Sequence, residues 1–431
     1  MKKAVICNRI YLDYTPELYA RIKEELTYVL PPKVYNGPPI TIKLFTAIGK
    51  ELVLSIPSGR VDLIPKDYEV IDRRTYVPTK FPDFKFTLRE DQQEIYDLVE
   101  GSCLINANPA WGKTFTGISI ARKLAQKTLV VVHTSILRDQ WVVEVEKTLG
   151  ISPGIISKGK CTYSDEPIVI ANIQSLNKFA DKVAKDFGTV IIDEVHHAPS
   201  EVFSKTLNKF HAANKIGLSA TLERKDYMHV VLTDYFSRDI YKADKSNQLD
   251  PIIHMYKTEI KFSSNSMIPW ARRVNELMEN PNYRELVYGL TKAYADKGYK
   301  VLVVADRVEF LEMGAKVVPN SVVVTGKVTK FEEREALLDS TQNENNVIFG
   351  TISIFKEGVN RPHWDCLVLA TPVNNDPMLE QLVGRIQRIH EGKKDPVVVD
   401  LVLQGATTRK QARVRAAFYK KNNWEMIGIE V

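Results

Sequence analysis

Val190-Ile191-Ile192-Asp193-Glu194-Val195-His196-His197 stands near the middle of this 431-residue chain, an apolar run ending in two adjacent carboxylates. Upstream lies Ala107-Asn108-Pro109-Ala110-Trp111-Gly112-Lys113-Thr114, a phosphate loop of relaxed form with Ala where the first Gly is usual. Backbone N–H groups of a tight loop ending at Gly112, at a helix start, point at phosphate oxygens, and the helix dipole favours the same negative charge. Lys113 then reaches the β- and γ-phosphates and Thr114 offers a hydroxyl to Mg²⁺. Asp193 at the strand tip holds the same ion, usually through water, and Glu194 orients or deprotonates the attacking water. The two strings together imply a nucleoside triphosphatase that takes ATP and Mg²⁺.

Working outward, Ser102 to Asn106 reads as a short strand before the loop and Thr116 to Leu124 as an amphipathic helix after it. From Glu90 onward short β-branched runs alternate with longer helical patterns, the signature of parallel α/β units. Leu129 to Val132, Ile168 to Ala171, Val190 to Asp193 and Lys215 to Leu218 predict one doubly wound lobe. The rhythm restarts at Val301 to Val304 and runs through Val322 to Val324, Val347 to Gly350, Cys366 to Leu369 and Val397 to Asp400, which predicts a second. Before Lys85 the pattern differs, with a strand expected around Val5 to Leu12, a helix over Pro16 to Tyr28, Pro/Gly-rich turns, and a strand over Leu52 to Ile56. The expected organisation is therefore α/β: a small α+β module (1–85), a first lobe (86–243), a linker marked by Ser263-Ser264-Asn265-Ser266 (244–284), and a second lobe (285–431).

A composition of 44% hydrophobic and 26% charged residues is globular, and no apolar run approaches the ~18 residues that span a bilayer. Arg9 interrupts the short apolar stretch after Met1-Lys2-Lys3, so no secretory signal is read there and a cytoplasmic protein with no membrane partner is expected. Cys7, Cys103, Cys161 and Cys366 are too scattered for a zinc knuckle or a disulfide framework and read as reduced thiols. A net charge of +6 permits a nucleic-acid partner without requiring one. Nothing in the sequence indicates an obligate protein partner.

Further strings, in order across roughly Phe86 to Asp400, resemble the superfamily 2 helicases and translocases, whose fold is two tandem RecA-like lobes. Leu88-Arg89-Glu90-Asp91-Gln92 looks like the family's adenine-reading element, with Arg89 and Gln92 at the base and Gln92 able to donate and accept. His133-Thr134-Ser135 to Trp141 is similar to the segment that grips the nucleic-acid backbone, with His133 where Pro is commoner. The resemblance assigns backbone contacts to Thr134 and to Asn172, Gln174 and Ser175, although Ser135 also reads as a plain helix cap. Adjacent His196 and His197 lack the i, i+4 spacing of a zinc site, and the resemblance makes His196 a coupling residue to Ser219-Ala220-Thr221.

In the second lobe, Thr351 and Thr325-Gly326 resemble backbone contacts, and Gly358 and Asn360 resemble the Gly and Asp that sense nucleotide and ribose, with Asn in place of the carboxylate. Gln381-Leu382-Val383-Gly384-Arg385-Ile386-Gln387-Arg388 is expected on a helix. Arg385 and Arg388, three apart, would share a face and point at the γ-phosphate as its bond breaks, with Gln381 in a coupling role. ATP shared between lobes would favour closure, and hydrolysis opening, so that gripping lobes step along a strand.

The Asp-Glu-Val-His-His box and chain size are most like the phage branch-migration and recombination helicases and the related excision-repair group. That implies a phage-encoded enzyme acting on branched or forked DNA in the host cytoplasm. Ala110-Trp111 in the loop, and Leu222 to Tyr227 after Thr221, depart from the family pattern. An RNA-directed ATPase of the same superfamily, a small-molecule kinase using the same loop, and a noncatalytic module remain as alternatives. The C-terminal run Arg409 to Trp424 has two readings, a cation–aromatic surface for nucleic acid or a helix whose aromatics pack on the lobe.

Overall fold

The computed structural model describes the chain except residues 33–36, 50–52, 85, 110, 198–204, 221, 223–227, 244–247, 357–358, 360 and 431. It forms two compact units, Met1–Asp244 and Lys245–Val431.

The first unit begins with a five-stranded sheet in the order Thr46–Ile48, Val53–Pro57, Arg9–Asp13, Lys3–Ile6, Glu69–Asp72. The single strand expected over Val5 to Leu12 is two antiparallel strands, because the chain reverses at Cys7-Asn8 and Ile6 pairs with Ile10. The helix is Pro16–Glu25, shorter than expected, and Thr27–Leu30 is a strand. The Thr15 hydroxyl accepts from Leu18 N, Pro16 opens the first turn, and Glu17 complements the dipole. Leu18 and Ile22 on its inner face close over Ala4, Ile10, Leu12, Leu54 and Ile56.

The main sheet of this unit has eight strands in the order Lys160–Thr162, Gly154–Ser157, Ile168–Asn172, Thr128–Val132, Thr189–Asp193, Asn214–Ser219, Cys103–Asn106, Ile240–Lys242. Every pair is parallel except Gly154–Ser157 with Lys160–Thr162. All five residues of Thr128–Val132, Ile168–Asn172 and Thr189–Asp193 are buried, which is why these strands read as continuous apolar runs. The order places Thr189–Asp193, Asn214–Ser219 and Cys103–Asn106 side by side, so their carboxyl ends converge.

The second unit is a seven-stranded, all-parallel sheet in the order Ser321–Val324, Val347–Thr351, Val301–Ala305, Cys366–Leu369, Val397–Gln404, Ile252–Lys261, Met426–Glu430. The stretch 244–284, expected as a linker, is largely a correction. Ile252–Lys261 is a ten-residue strand between Val397–Gln404 and Met426–Glu430, and Trp270–Glu279 is a helix burying Val274, Leu277 and Met278. The strand escaped notice because His254, Lys257, Thr258 and Glu259 break its apolar alternation while the backbone ladder supplies the pairing. No helix among the described residues is long and apolar enough to cross a membrane, and the four cysteines are free thiols.

Candidate active site

The loop after Cys103–Asn106 ends at Gly112, which caps the helix Lys113–Leu124 with φ 94° and ψ 35°. That left-handed backbone favours glycine, and a Cβ there would stand 2.6 Å from Gln92 Nε2. The helix therefore starts three residues earlier than its apolar pattern implied. Lys113 Nζ donates to Ala107 O at 3.0 Å and lies 3.5 Å from Asn108 O. A phosphate on the helix N-terminus would outcompete these neutral carbonyls, because an ammonium–phosphate bond is charge-assisted.

Trp111 turns its indole into the core, and its carbonyl accepts from Gln92 Nε2 at 2.8 Å and Arg89 Nη2 at 2.6 Å. Gln92 Oε1 accepts from Arg89 N at 3.1 Å. The two residues expected at the adenine thus brace the phosphate loop, and Gln92 is only 2% exposed.

Asp193 sits at the tip of its strand, 4% exposed, its Oδ1 accepting from Glu194 N at 2.9 Å and its Oδ2 from the Trp141 indole Nε1 at 2.8 Å. Glu194 follows with φ +50°, a left-handed conformation uncommon for a residue with a side chain and of the kind found at functional turns. His196 Nδ1 lies 2.9 Å from Ser219 Oγ and 3.3 Å from Glu194 Oε2, so the acidic tip and the end of the next strand share one imidazole. Burial and the charge of Glu194 push Asp193 above the usual carboxylate range. Burial pushes Glu194 the same way, but His196, Lys113 and His133 outweigh it and hold Glu194 below that range. The pair therefore carries one firmly ionised carboxylate beside one that seeks positive charge.

Mg²⁺ fits this donor set. A carboxylate raised by burial gains from a cation beside it, Thr114 supplies a hydroxyl oxygen on the neighbouring helix, and magnesium characteristically takes one or two protein oxygens while keeping water and phosphate ligands. Among the described residues no group of three His, Cys, Asp or Glu is arranged to hold a metal ion by itself.

The remaining first-unit positions divide. Thr134, not Ser135, is the cap of helix Ser135–Leu149, accepting from Leu137 N at 3.2 Å. Asn172 is buried and its Oδ1 accepts from Ser157 Oγ at 2.9 Å, and Ser157 in turn accepts from Arg138 Nη1 at 2.6 Å, so Asn172 braces neighbouring strands. Ser175 is buried with Gly159 N 3.5 Å from its hydroxyl, whereas Gln174 is exposed with Nε2 3.4 Å from His133 O. Thr221 lies outside the described residues.

In the second unit the helix carrying Gln381 is Asp376–Val383 and stops before the arginines. Arg385 and Arg388 therefore do not share a helical face. The chain turns at Gly384, and Leu249 N donates to Gln387 O at 2.8 Å as Arg388 bridges to Gln248. Arg385 is buried, with Nε, Nη1 and Nη2 donating to Phe355 O, Val359 O and Lys356 O at 2.8, 2.9 and 2.9 Å. It clamps the segment that follows Thr351. Arg388 differs, because its Nη1 is buried without a hydrogen-bond partner among the described residues. Burial, then the charges of Arg385 and Arg361, pull its pKa down to about 9. A guanidinium so placed is poised for an anion. Gln381 and Thr351 are buried, the buried Thr325 hydroxyl lies 3.3 Å from Lys327 N, and Gly326 is exposed. Gly358 and Asn360 lie outside the described residues. On helix Ala406–Lys421 the aromatics pack inward: Phe418 and Tyr419 are buried, as is Trp424 just beyond its end, and Arg415 pairs with Asp400 at 2.6 Å, while Arg409, Lys410, Arg413, Lys420 and Lys421 face solvent.

Sequence reasoning missed Trp141 and did not foresee that Arg89 and Gln92, expected at the base, also brace the loop. Nothing local in the sequence marks an indole as a carboxylate's partner; only the fold brings residues 52 apart together.

A phosphate loop and an acidic strand tip at the carboxyl ends of two parallel strands flanking a third define a nucleoside triphosphatase of the doubly wound class. The family model "Type III restriction enzyme, res subunit" matches residues 85–224, and "Helicase conserved C-terminal domain" matches residues 283–390. "Probable helicase D10" of Escherichia phage T5 is 39% identical over 433 residues, covering 99% of this chain and 96% of the relative. "Putative ATP-dependent RNA helicase L396" of Acanthamoeba polyphaga mimivirus is 26% identical over 453 residues, covering 98% and 85%. The structure of S. cerevisiae Dbp5 bound to RNA and ADP BeF3 shares the fold, with a TM-score of 0.57, 12% identity, and coverage of 79% of this chain and 89% of that one. The chain belongs to the superfamily 2 helicases. It is an ATP-hydrolysing helicase built on two RecA-like sheets, and its partner is nucleic acid.

Proposed function

We propose that this helicase is a phage DNA helicase or translocase that remodels branched DNA, such as forks and four-way junctions, with ATP and Mg²⁺ as fuel. The observation that carries the fuel half is the convergence of Lys113, Thr114, Asp193 and Glu194 at the ends of three adjacent strands. The helix N-terminus and Lys113 hold the phosphates, Thr114 and Asp193 hold the cation, and ionised Glu194 orients the water and takes its proton. Magnesium, when bound, neutralises the charge that develops on the phosphates. His196 relays the state of Glu194 to Ser219, and Arg388 answers the γ-phosphate while Arg385 keeps the segment after Thr351 in place. Arg388→Ala should lower turnover by ~10³-fold, with nucleotide affinity much less changed.

The DNA half is supported by the motif order, by a phage helicase related along nearly the whole chain including residues 1–85, and by those residues forming a sheet of their own. We assign 1–85 to branched-DNA contact. Thr134, Gln174, Thr325, Gly326 and Thr351 are assigned to the strand backbone, and the exposed cations of Ala406–Lys421 to further phosphates, with Asn172 and Ser175 bracing them. An RNA substrate is the second reading, favoured by the printed names of the mimivirus relative and the RNA-bound Dbp5 structure. ATPase stimulation by a four-way junction, a fork, single-stranded DNA and RNA of matched length decides between them. Strongest stimulation by branched DNA is expected, and preference for RNA would overturn the substrate assignment.

A further inference from the structure

An indole is seldom wholly buried, and when it is, its N–H must find an acceptor. Trp141 is fully buried, and its Nε1 donates to Asp193 Oδ2 at 2.8 Å. The indole can only donate, so it is matched to a carboxylate and cannot compete for a cation. Glu194 N occupies the other oxygen at 2.9 Å. A carboxylate at the end of a single bond ordinarily turns through a broad torsional well. A donor fixed on each oxygen stops that turning and leaves the remaining lone pairs aimed one way.

The ring reaches Asp193 across the phosphate-loop helix at Gly117, where a Cβ would stand 3.0 Å from Trp141 Cη2 and 3.2 Å from Leu218 Cδ1. One side chain thus packs on the helix that presents the phosphates and holds the acidic tip. Trp141 belongs to helix Ser135–Leu149, whose cap is Thr134, and it lies ~9 Å along the axis from the first turn. Movement of that helix must carry the carboxylate with it or break the bond.

We propose that Trp141 is a positioning residue for ATP hydrolysis, which fixes the orientation of the Asp193 carboxylate and ties it to the helix that begins at Thr134. The proposal rests on Asp193 being the carboxylate that holds magnesium. Second-layer donors to metal-binding carboxylates typically contribute 10–100-fold to metal affinity or activity.

Trp141→Phe keeps a ring in the core and removes the donor. In the full chain it should raise the Mg²⁺ concentration for half-maximal nucleic-acid-stimulated ATPase and lower kcat, each by roughly 10-fold. Binding of a fluorescent ATP analogue should be unchanged in EDTA and should lose most of its tightening on addition of Mg²⁺. Single-strand affinity without nucleotide should stay the same. Lost packing alone would lower the melting temperature without moving the Mg²⁺ dependence. Wild-type Mg²⁺ dependence in Trp141→Phe, with Asp193→Asn showing the expected loss, overturns the role of Trp141 and leaves the site intact. If Asp193→Asn itself keeps the Mg²⁺-dependent tightening, the assignment of Asp193 falls. Gly117→Ala keeps the donor and displaces the ring by tenths of an ångström, so it should shift the Mg²⁺ dependence in the same direction by less. An unshifted Gly117→Ala beside a Trp141→Phe too unstable to assay counts against the proposal.

Discussion

The main sheet of the first unit carries buried charge at both ends, and the two ends answer it differently. At the amino end Arg60, almost wholly buried, meets Asp234 Oδ1 at 3.1 Å, Asp62 Oδ1 at 2.9 Å and Glu25 Oε2 at 2.8 Å, while the Tyr28 hydroxyl donates to the other oxygen of Asp234. Lys215 donates to Ser58 Oγ at 2.7 Å. Charge there is matched by charge or by a hydroxyl from the N-terminal module, which is how that module is fastened. At the carboxyl end the charge of Lys113 steadies both carboxylates, but its hydrogen bonds go to neutral carbonyls and those of Asp193 to an indole and an amide. Dipoles of that kind orient an ionised group without neutralising it, so the group stays available to a ligand. The difference separates buried charge that builds the unit from buried charge that works in it.

Mutation should break the two ends in opposite ways. Lys113→Ala or Glu194→Gln should reduce ATP hydrolysis by ~10³-fold or more with a melting temperature close to wild type. Wild-type turnover in either would remove the roles given to the carboxyl end. At the other end, Arg60→Ala leaves buried Asp234 with only the Tyr28 hydroxyl and half-exposed Arg238 at 3.6 Å, and should cost roughly 3–5 kcal/mol on unfolding, read by urea denaturation. ATPase measured well below the transition should change little, and a loss under about 1 kcal/mol would mean that solvent screens the pair as it does at a surface.

Thr134 lies between these extremes, since it caps a helix and is also assigned to the nucleic-acid backbone. Thr134→Ala should cost about 1 kcal/mol of stability, and Thr134→Ser should restore it. Weakened single-strand binding in the Ala variant alone would show that the hydroxyl serves both purposes, and unchanged binding would leave it a cap.

The smallest effect is a slope. Burial pulls the Lys215 pKa down to about 8, against ~10.4 for a free lysine. Between those values the unfolded chain binds more protons than the folded one, so this residue makes stability rise with pH across that window and contributes no slope well below pH 8. Lys215→Met should flatten the rise between pH 8 and 10 in thermal melts, and an identical slope in the variant would mean that the ammonium is well solvated.

Much of this fold is written in short runs. Thr189–Asp193 and Val301–Ala305 are buried on both faces, so each of their residues short of the acidic tip had to be apolar or β-branched, and that makes parallel strands legible. Gly112-Lys113-Thr114 and Asp193-Glu194 were legible for a related reason, since phosphate and metal chemistry demand particular groups at adjacent positions. Ile252–Lys261 was not, because a strand whose side chains are largely half-exposed can carry polar residues wherever the ladder, rather than side-chain burial, supplies the pairing. Nor could spacing tell Arg385 from Arg388. Three residues apart implies one helical face only if the helix continues, and here it ends at Val383.

By itself, then, the chain's order of residues determined two parallel α/β sheets, a phosphate loop and an acidic strand tip, because periodic burial and local chemistry each leave a mark within a few positions. The tertiary structure alone decided that Trp141 orients Asp193, that Gln92 and Arg89 brace the loop, and that Arg60 fastens the first 85 residues to the sheet. Each of those depends on a hydrogen bond or ion pair between groups far apart in the chain, and a contact of that kind exists only once the packing of everything between them is complete.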